Sequence, residues 1–198
     1  MFSYTLLAIF SGVWLLTPTE AIGLKFKKFK IVPDVISIAP YQKMTVKYPN
    51  GTILNLGTYV KTVNVKGAPD VSWLNKGQYH TLVMVDSDAG DFSEVNHWLI
   101  GNIPGDDIQR GEIIAEYFGS IPDSGSGTHR CIFLVFKQRA LINFNEPYSG
   151  FMDTANRIKF RVRDFAKKYS LGNPIAGNFY LVGWDEYVPV IRKELGLD

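Results

Sequence analysis

Two runs of strand length, Thr81-Leu82-Val83-Met84-Val85 and Cys131-Ile132-Phe133-Leu134-Val135-Phe136, constrain this chain more than any other feature. Short, largely apolar runs bounded by Gly, Asp and Ser clusters read as β-strands. Each carries polar chemistry at one end. The first leads into Asp86-Ser87-Asp88-Ala89, and Asn96-His97-Trp98-Leu99 follows a little later. The second is preceded by Gly125-Ser126-Gly127-Thr128-His129-Arg130. Two aspartates and two histidines at strand ends, beside a glycine-rich loop, describe a small polar pocket at the rim of a sheet.

The rest of the chain supplies the sheet. Residues 44–48 and 52–54 flank Pro49-Asn50-Gly51, a hairpin signal. Further strand candidates are 60–65, 79–85, 97–103, 132–137 and 178–183. Turn signals such as Gly67-Ala68-Pro69 and Pro104-Gly105-Asp106 separate them. Many short strands with turns between them predict a mainly β, antiparallel sandwich. Aromatic residues make up 14% of the chain, which suits pleated surfaces. Val32-Pro33-Asp34-Val35 reads as a short turn or a helix start. Ile158, Val162, Phe165 and Tyr169 recur at four, three and four, predicting a helix over 153–169. Asp153 or Thr154 caps it, and Gly172 and Pro174 stop it. A short last helix is expected over 189–195. No repeat or internal boundary divides the chain, so one domain is expected over 22–198.

Residues 1–21 are read separately. Leu6-Leu7-Ala8-Ile9-Phe10 and Gly12-Val13-Trp14-Leu15-Leu16 match the apolar region of a secretory leader, with Thr19 and Ala21 at the −3 and −1 cleavage positions. An uncleaved anchor is the alternative. The run is short for a membrane span and is broken by Pro18. The formal charge of +2 does not suggest a nucleic-acid partner. Lys25, Lys27, Lys28 and Lys30, interleaved with Phe26 and Phe29, form a solvated basic patch, so membrane contact is at most peripheral. A lone cysteine, Cys131, excludes an internal disulfide, and the fold must hold by its core. Asn50-Gly51-Thr52 is a glycosylation sequon as well as a turn.

The ordered motifs resemble the phosphatidylethanolamine-binding protein family, which includes the Raf kinase inhibitor proteins. The resemblance runs from about Lys30 to Leu195. It is carried by residues 79–89, by His97-Trp98-Leu99-Ile100-Gly101-Asn102-Ile103-Pro104-Gly105, and by Tyr117-Phe118-Gly119-Ser120-Ile121-Pro122 through Arg130. Pro174-Ile175-Ala176-Gly177 and Trp184-Asp185-Glu186-Tyr187-Val188-Pro189 continue it. The resemblance implies a large central antiparallel sheet packed on a smaller one, with helices near the C-terminus. It implies a ligand pocket drawn from Asp86, Asp88, His97, Pro122, His129 and Cys131, with Arg130 stabilising the loop through an ion pair for which Asp88 is a candidate partner. It implies no catalytic residue, no metal and no cofactor. The expected ligand is a phospholipid head group or a related small anion, bound by a secreted protein. An extracellular serine protease or a signalling partner is the alternative. A metal-assisted hydrolase built on Asp86, Asp88, His97 and His129 is the enzymatic rival, without the tight spacing of zinc motifs.

Departures from the family pattern matter. Ser87 and Gly90 stand where the aspartate loop has prolines, so the loop should be less rigid. Asp123 replaces the second proline of the pocket loop, and Val95 stands where animal relatives often carry tryptophan. Cys131 replaces a tyrosine whose hydroxyl can donate to the anion. A charge-assisted hydrogen bond is worth roughly 1.5–3 kcal/mol. Its loss weakens binding by about one to two decades. Cys131 itself reads either as a reactive pocket thiol or as a small apolar filler.

Overall fold

The computed structural model describes residues 17–74 and 77–197. Residues 1–16, most of the expected leader, lie outside the described residues. In chain order the elements are α1 (Pro18–Lys28), α2 (Ile31–Asp34), β1 (Gln42–Lys43), β2 (Thr45–Lys47), β3 (Thr58–Tyr59), β4 (Asp70–Ser72), β5 (Tyr79–Asp86), β6 (Val95–Pro104), β7 (Glu112–Ala115), β8 (Thr128–Lys137), α3 (Val162–Lys168), β9 (Ala176–Gly183) and α4 (Val188–Leu195). Strands β9, β8, β5, β6 and β7 lie side by side and antiparallel. The short β1 and β3 add parallel to the outer edge of β9, so the large sheet is mixed there. Strands β2 and β4 form the separate small antiparallel sheet. The expected mainly β architecture is the one adopted.

Both faces of the central strands are covered, which is why their sequences are apolar throughout. Side chains alternate across a strand. Leu82, Met84, Phe133 and Val135 pack with Val46, Tyr48, Val71 and Trp73 from the small-sheet side. Val83, Val85, Ile132 and Leu134 pack with Ile22 and Phe26 of α1 and Val162 and Phe165 of α3. These eight β5 and β8 residues have no exposed surface.

Two local expectations are corrected. Residues 153–161 are not helical, and α3 begins only at Val162. The backbone N–H groups of Lys159 and Phe160 instead reach the carbonyls of Phe92 and Glu94, at 2.9 and 2.8 Å, tying the segment to the approach to β6. Residues 60–65 are not a strand. The Asp185 carboxylate accepts from both N and Oγ1 of Thr62, at 2.8 and 2.6 Å, and bends Thr62–Val65 into a 3₁₀ turn. The lysine-rich segment from Lys25 lies largely in α1, a helix with a Thr17–Glu20 capping box and Pro18 in its first turn.

The seam between β1, β3 and β9 is closed by one amide. Asn178 Oδ1 accepts from Leu56 N at 2.9 Å, and its Nδ2 donates to the carbonyls of Met44 and Leu54 at 2.9 and 3.2 Å. Each buried polar group left without a partner costs about 1–3 kcal/mol. Asn178→Leu is therefore expected to lower unfolding free energy by about 3 kcal/mol or more in urea titration. A loss under 1 kcal/mol would refute this role.

Candidate functional site

Pairing of β5 with β8 sets Asp86 opposite Cys131, two residues beyond His129 on the same face. On the other side Asp86 is opposite Val95 of β6. His97 reaches the same place through a bulge. Met84 pairs with Trp98 and Val85 with Asn96, leaving His97 as an extra residue in β6. In an unbroken ladder His97 would pair with Val85 and share its face, away from Asp86.

Of the six ligand residues expected, four come together and two, Asp88 and Cys131, do not. Asp86, His97, Pro122 and His129 line one cavity of about 390 Å³, within the range of small-molecule sites. Asp86, His97 and His129 are only 3–5% exposed and form its deep end. His129 Nδ1 lies 2.6 Å from Asp86 Oδ2, and its Nε2 lies 2.8 Å from the Ser126 hydroxyl. The second carboxylate oxygen of Asp86 accepts from Asp88 N at 2.8 Å. His97 Nδ1 donates to the Phe118 carbonyl at 2.6 Å. A carbonyl only accepts, so Nδ1 carries a proton and Nε2 is the end left for a ligand.

The two imidazoles are tuned in opposite directions. Burial opposes charge on His129, but the hydrogen bond and charge of Asp86, aided by Asp88 and Asp123, outweigh it and raise its pKa. Burial lowers the pKa of His97; Asp86 and the Phe118 carbonyl oppose this without overcoming it. The cavity thus favours one charged and one neutral imidazole near neutral pH.

Asp88 and Cys131 lie off the cavity wall. Asp88 is clamped by Arg130: Oδ2 accepts from Arg130 N and Nε at 2.8 Å each, and Oδ1 from a terminal guanidinium nitrogen at 2.7 Å. Arg130 also donates to the Phe29 carbonyl at 2.8 Å and to Asp34 at 3.0 Å. The arginine therefore ties the aspartate loop to the segment after α1. Cys131 is fully buried behind the wall. Its sulfur is 3.0 Å from Ser120 Oγ, itself 2.6 Å from the Tyr180 hydroxyl, and burial pushes the thiol pKa well up. Such a thiol packs rather than reacts. Asn50 sits on an exposed turn and donates from Nδ2 to the Asn64 carbonyl at 3.0 Å.

Ser126 and Arg157 are among the cavity residues that sequence reasoning does not single out. Ser126 stands three residues before His129 within the glycine-rich loop. Arg157 had been placed on a helix. It is 2% exposed and lines the cavity, and its guanidinium donates to the carbonyls of Asp153, Gly150 and Asn96 at 2.8, 2.8 and 3.2 Å. No periodicity marks such a residue. Among the described residues no group of three or more His, Cys, Asp or Glu side chains could hold a metal ion.

The fold and this cavity define a class. Residues 43–180 match the model of the phosphatidylethanolamine-binding protein family, and the chain belongs to that family. It is 31% identical over 175 residues to "Putative odorant-binding protein A5" of Drosophila melanogaster, covering 85% of this chain and 83% of that one. It is 35% identical over 164 residues to a 26 kDa secreted antigen of Toxocara canis, covering 80% of this chain but only 63% of that protein. Among solved structures, the solution structure of CG7054 shares 36% identity and a TM-score of 0.67, covering 83% and 97% of the two chains. The carboxypeptidase Y inhibitor, solved with its cognate proteinase, shares the fold at TM-score 0.72 and 22% identity, covering 84% and 97%.

Opposite shifts make a clear titration experiment. In NMR, the His129 ring should titrate above the ordinary value of about 6.5 and the His97 ring below it. The stabilisation from His129 is complete below the unfolded value and is lost as pH rises through the folded one. That from His97 is present above the unfolded value and is lost as pH falls through the folded one. Asp86→Asn should move the His129 midpoint down; an unchanged midpoint would refute the pairing.

Proposed function

We propose that the protein is a secreted, non-enzymatic binding protein whose cavity takes a phospholipid head group or a related small anion. The observation that carries this reading is the Asp86–His129–Ser126 chain at the deep end of the cavity, opposite His97. Asp86 favours a charged His129, and the imidazolium and the Ser126 hydroxyl offer donors to an oxyanion. Arg157 adds positive charge to the wall without spending it on a carboxylate, since its short hydrogen bonds run to backbone carbonyls. The family's name points to phosphatidylethanolamine. A relative described as a secreted antigen supports export, with cleavage after Ala21 to give a mature chain from Ile22. Cleavage there removes Thr17 and Glu20, the capping box of α1, yet leaves the buried Ile22 and Phe26 to seat the helix.

A second reading, inhibition of an extracellular protease, is favoured by one observation. The structural neighbour at TM-score 0.72 is a proteinase inhibitor solved on its target. Assay against a panel of serine proteases tests it, and no inhibition at excess protein would exclude those proteases as targets.

The anion reading predicts saturable binding of inorganic phosphate or phosphoethanolamine at pH 6, with shifts at both His97 and His129. Affinity should fall as pH rises through the raised pKa of His129, because the donor charge is lost. Replacing His129 with Ala should weaken binding by roughly 10–100-fold, the worth of a charge-assisted hydrogen bond. No shift at either ring at millimolar anion would sink the reading.

A further inference from the structure

A separate groove lies at the other end of the fold and shares no residue with the cavity described above. Its volume is about 480 Å³, again within the range of small-molecule sites. Phe136 is on its floor, seven residues beyond His129 in β8, which is about 23 Å along an extended strand. Helix α3 makes one wall, and its spacing sorts apolar from charged groups. Val162 and Ala166, four apart, turn inward and join Ile36 and Phe136 in a floor that is 8% exposed or less. Arg163 and Lys167, also four apart, stand one position further round the helix, exposed at the rim. No acidic residue lines the groove. The flanking cations are engaged elsewhere: Arg161 lies 4.0 Å from Glu94, and Lys168 2.6 Å from Glu146. Among the described residues, Arg163 and Lys167 make no hydrogen bond or ion pair within the protein, and Arg163 acts on the Glu94 carboxylate only at a distance. The last carbonyls of α3 are occupied too. Those of Phe165, Ala166 and Lys167 accept from the N–H groups of Tyr169, Leu171 and Ser170 at 3.1, 2.9 and 3.2 Å.

We propose that this groove is a second ligand site, for a small amphiphilic carboxylate whose head lies between Arg163 and Lys167 and whose tail covers the Phe136 floor. The guanidinium presents a planar fork that matches a carboxylate, and the ammonium adds a point charge. At the exposed rim the head keeps part of its hydration, so little desolvation opposes the pairing. The tail leaves water for apolar surface, which supplies the larger favourable contribution. A head alone would gain only the small free energy of exposed ion pairs, and a tail alone would leave both cations unused. The site stands apart from the anion cavity, and neither reading depends on the other.

Heteronuclear NMR of the whole protein, titrated with sodium octanoate at pH 7.5, reads the two sites separately. Saturable shifts are expected at the backbone amides of Ala166, Lys167, Ser170 and Gly172. Acetate, with a head but no tail, and 1-octanol, with a tail but no charge, should each bind there about tenfold more weakly or worse. Replacing both cations, Arg163→Gln with Lys167→Gln, changes only exposed positions and should weaken octanoate roughly tenfold, to the level of octanol. Any shifts that octanoate causes at the His97 and His129 rings should be the same in both proteins.

Shifts confined to the His97 and His129 rings would assign octanoate to the first cavity and overturn the second site. No shift at the α3 amides at millimolar octanoate would overturn it as well, and would leave the anion reading of the first cavity standing. Octanol binding as tightly as octanoate, or an unchanged octanoate affinity in the double variant, would show that the two cations do not hold the head, and would overturn the proposal.

Discussion

Everything at the site depends on the pairing of β5 with β8 in one register. Both strands are buried on both faces, so a slip by one residue would turn every side chain to the wrong core. Met84 and Phe133 fill the small-sheet side, and Val83 and Leu134 the helix side. The hydrophobic core thus fixes, to the residue, where the polar ends of these strands stop. Asp86 and His129 meet because the core leaves the strands no other alignment. The 2.6 Å contact between them is a consequence of packing many residues away.

The same logic explains why the loop works without its prolines. Ser87 and Gly90 leave the aspartate loop free to wander, yet Asp88 is gripped through both carboxylate oxygens by Arg130. That arginine is next to His129, so one end of β8 supplies both the cavity imidazole and the clamp on the opposing loop. Geometry divides the two aspartates between two tasks: Asp86 faces the cavity, and Asp88 faces the arginine. Desolvation opposes ionisation of Asp88, but hydrogen bonds from Arg130 overcome it and lower its pKa. The clamp therefore stays charged through the pH range in which the histidines titrate.

What was legible in the sequence was whatever an uninterrupted apolar run bounded by turns marks. Strands β5, β6, β8 and β9 stood out because their apolar runs were long and their ends were marked by turns. Elements decided by a distant partner were not legible. The helical spacing of Ile158 with Val162 and Phe165 was real as a pattern, but Lys159 and Phe160 gave their N–H groups to Phe92 and Glu94. Residues 60–65 looked like a strand until Asp185, more than a hundred positions away, claimed Thr62. Helix α1 was readable in principle. Thr17-Pro18-Thr19-Glu20 is a capping sequence and Ile22 lies four before Phe26, but the same residues also read as the end of a leader. For the site, Asp86, His97 and His129 came from their places at strand ends, and Pro122 from the family resemblance. The bulge that turns His97 inward did not, since no residue type in β6 announces it.

The exchange of tyrosine for Cys131 shows how such a cavity redistributes its donors. From the sequence, a thiol in that place promised a weaker anion site. In the fold the sulfur is turned back into the core, where Ser120 and Tyr180 continue a buried chain of hydroxyls that stays off the cavity wall. The hydroxyl on the cavity wall is instead that of Ser126, held between His129 Nε2 and the Asp123 carbonyl at 2.8 and 2.7 Å. With the imidazole charged, His129 donates to Ser126 and Ser126 donates to the carbonyl. An incoming oxyanion that takes either proton must break one of these bonds, so part of its interaction energy replaces a hydrogen bond already present.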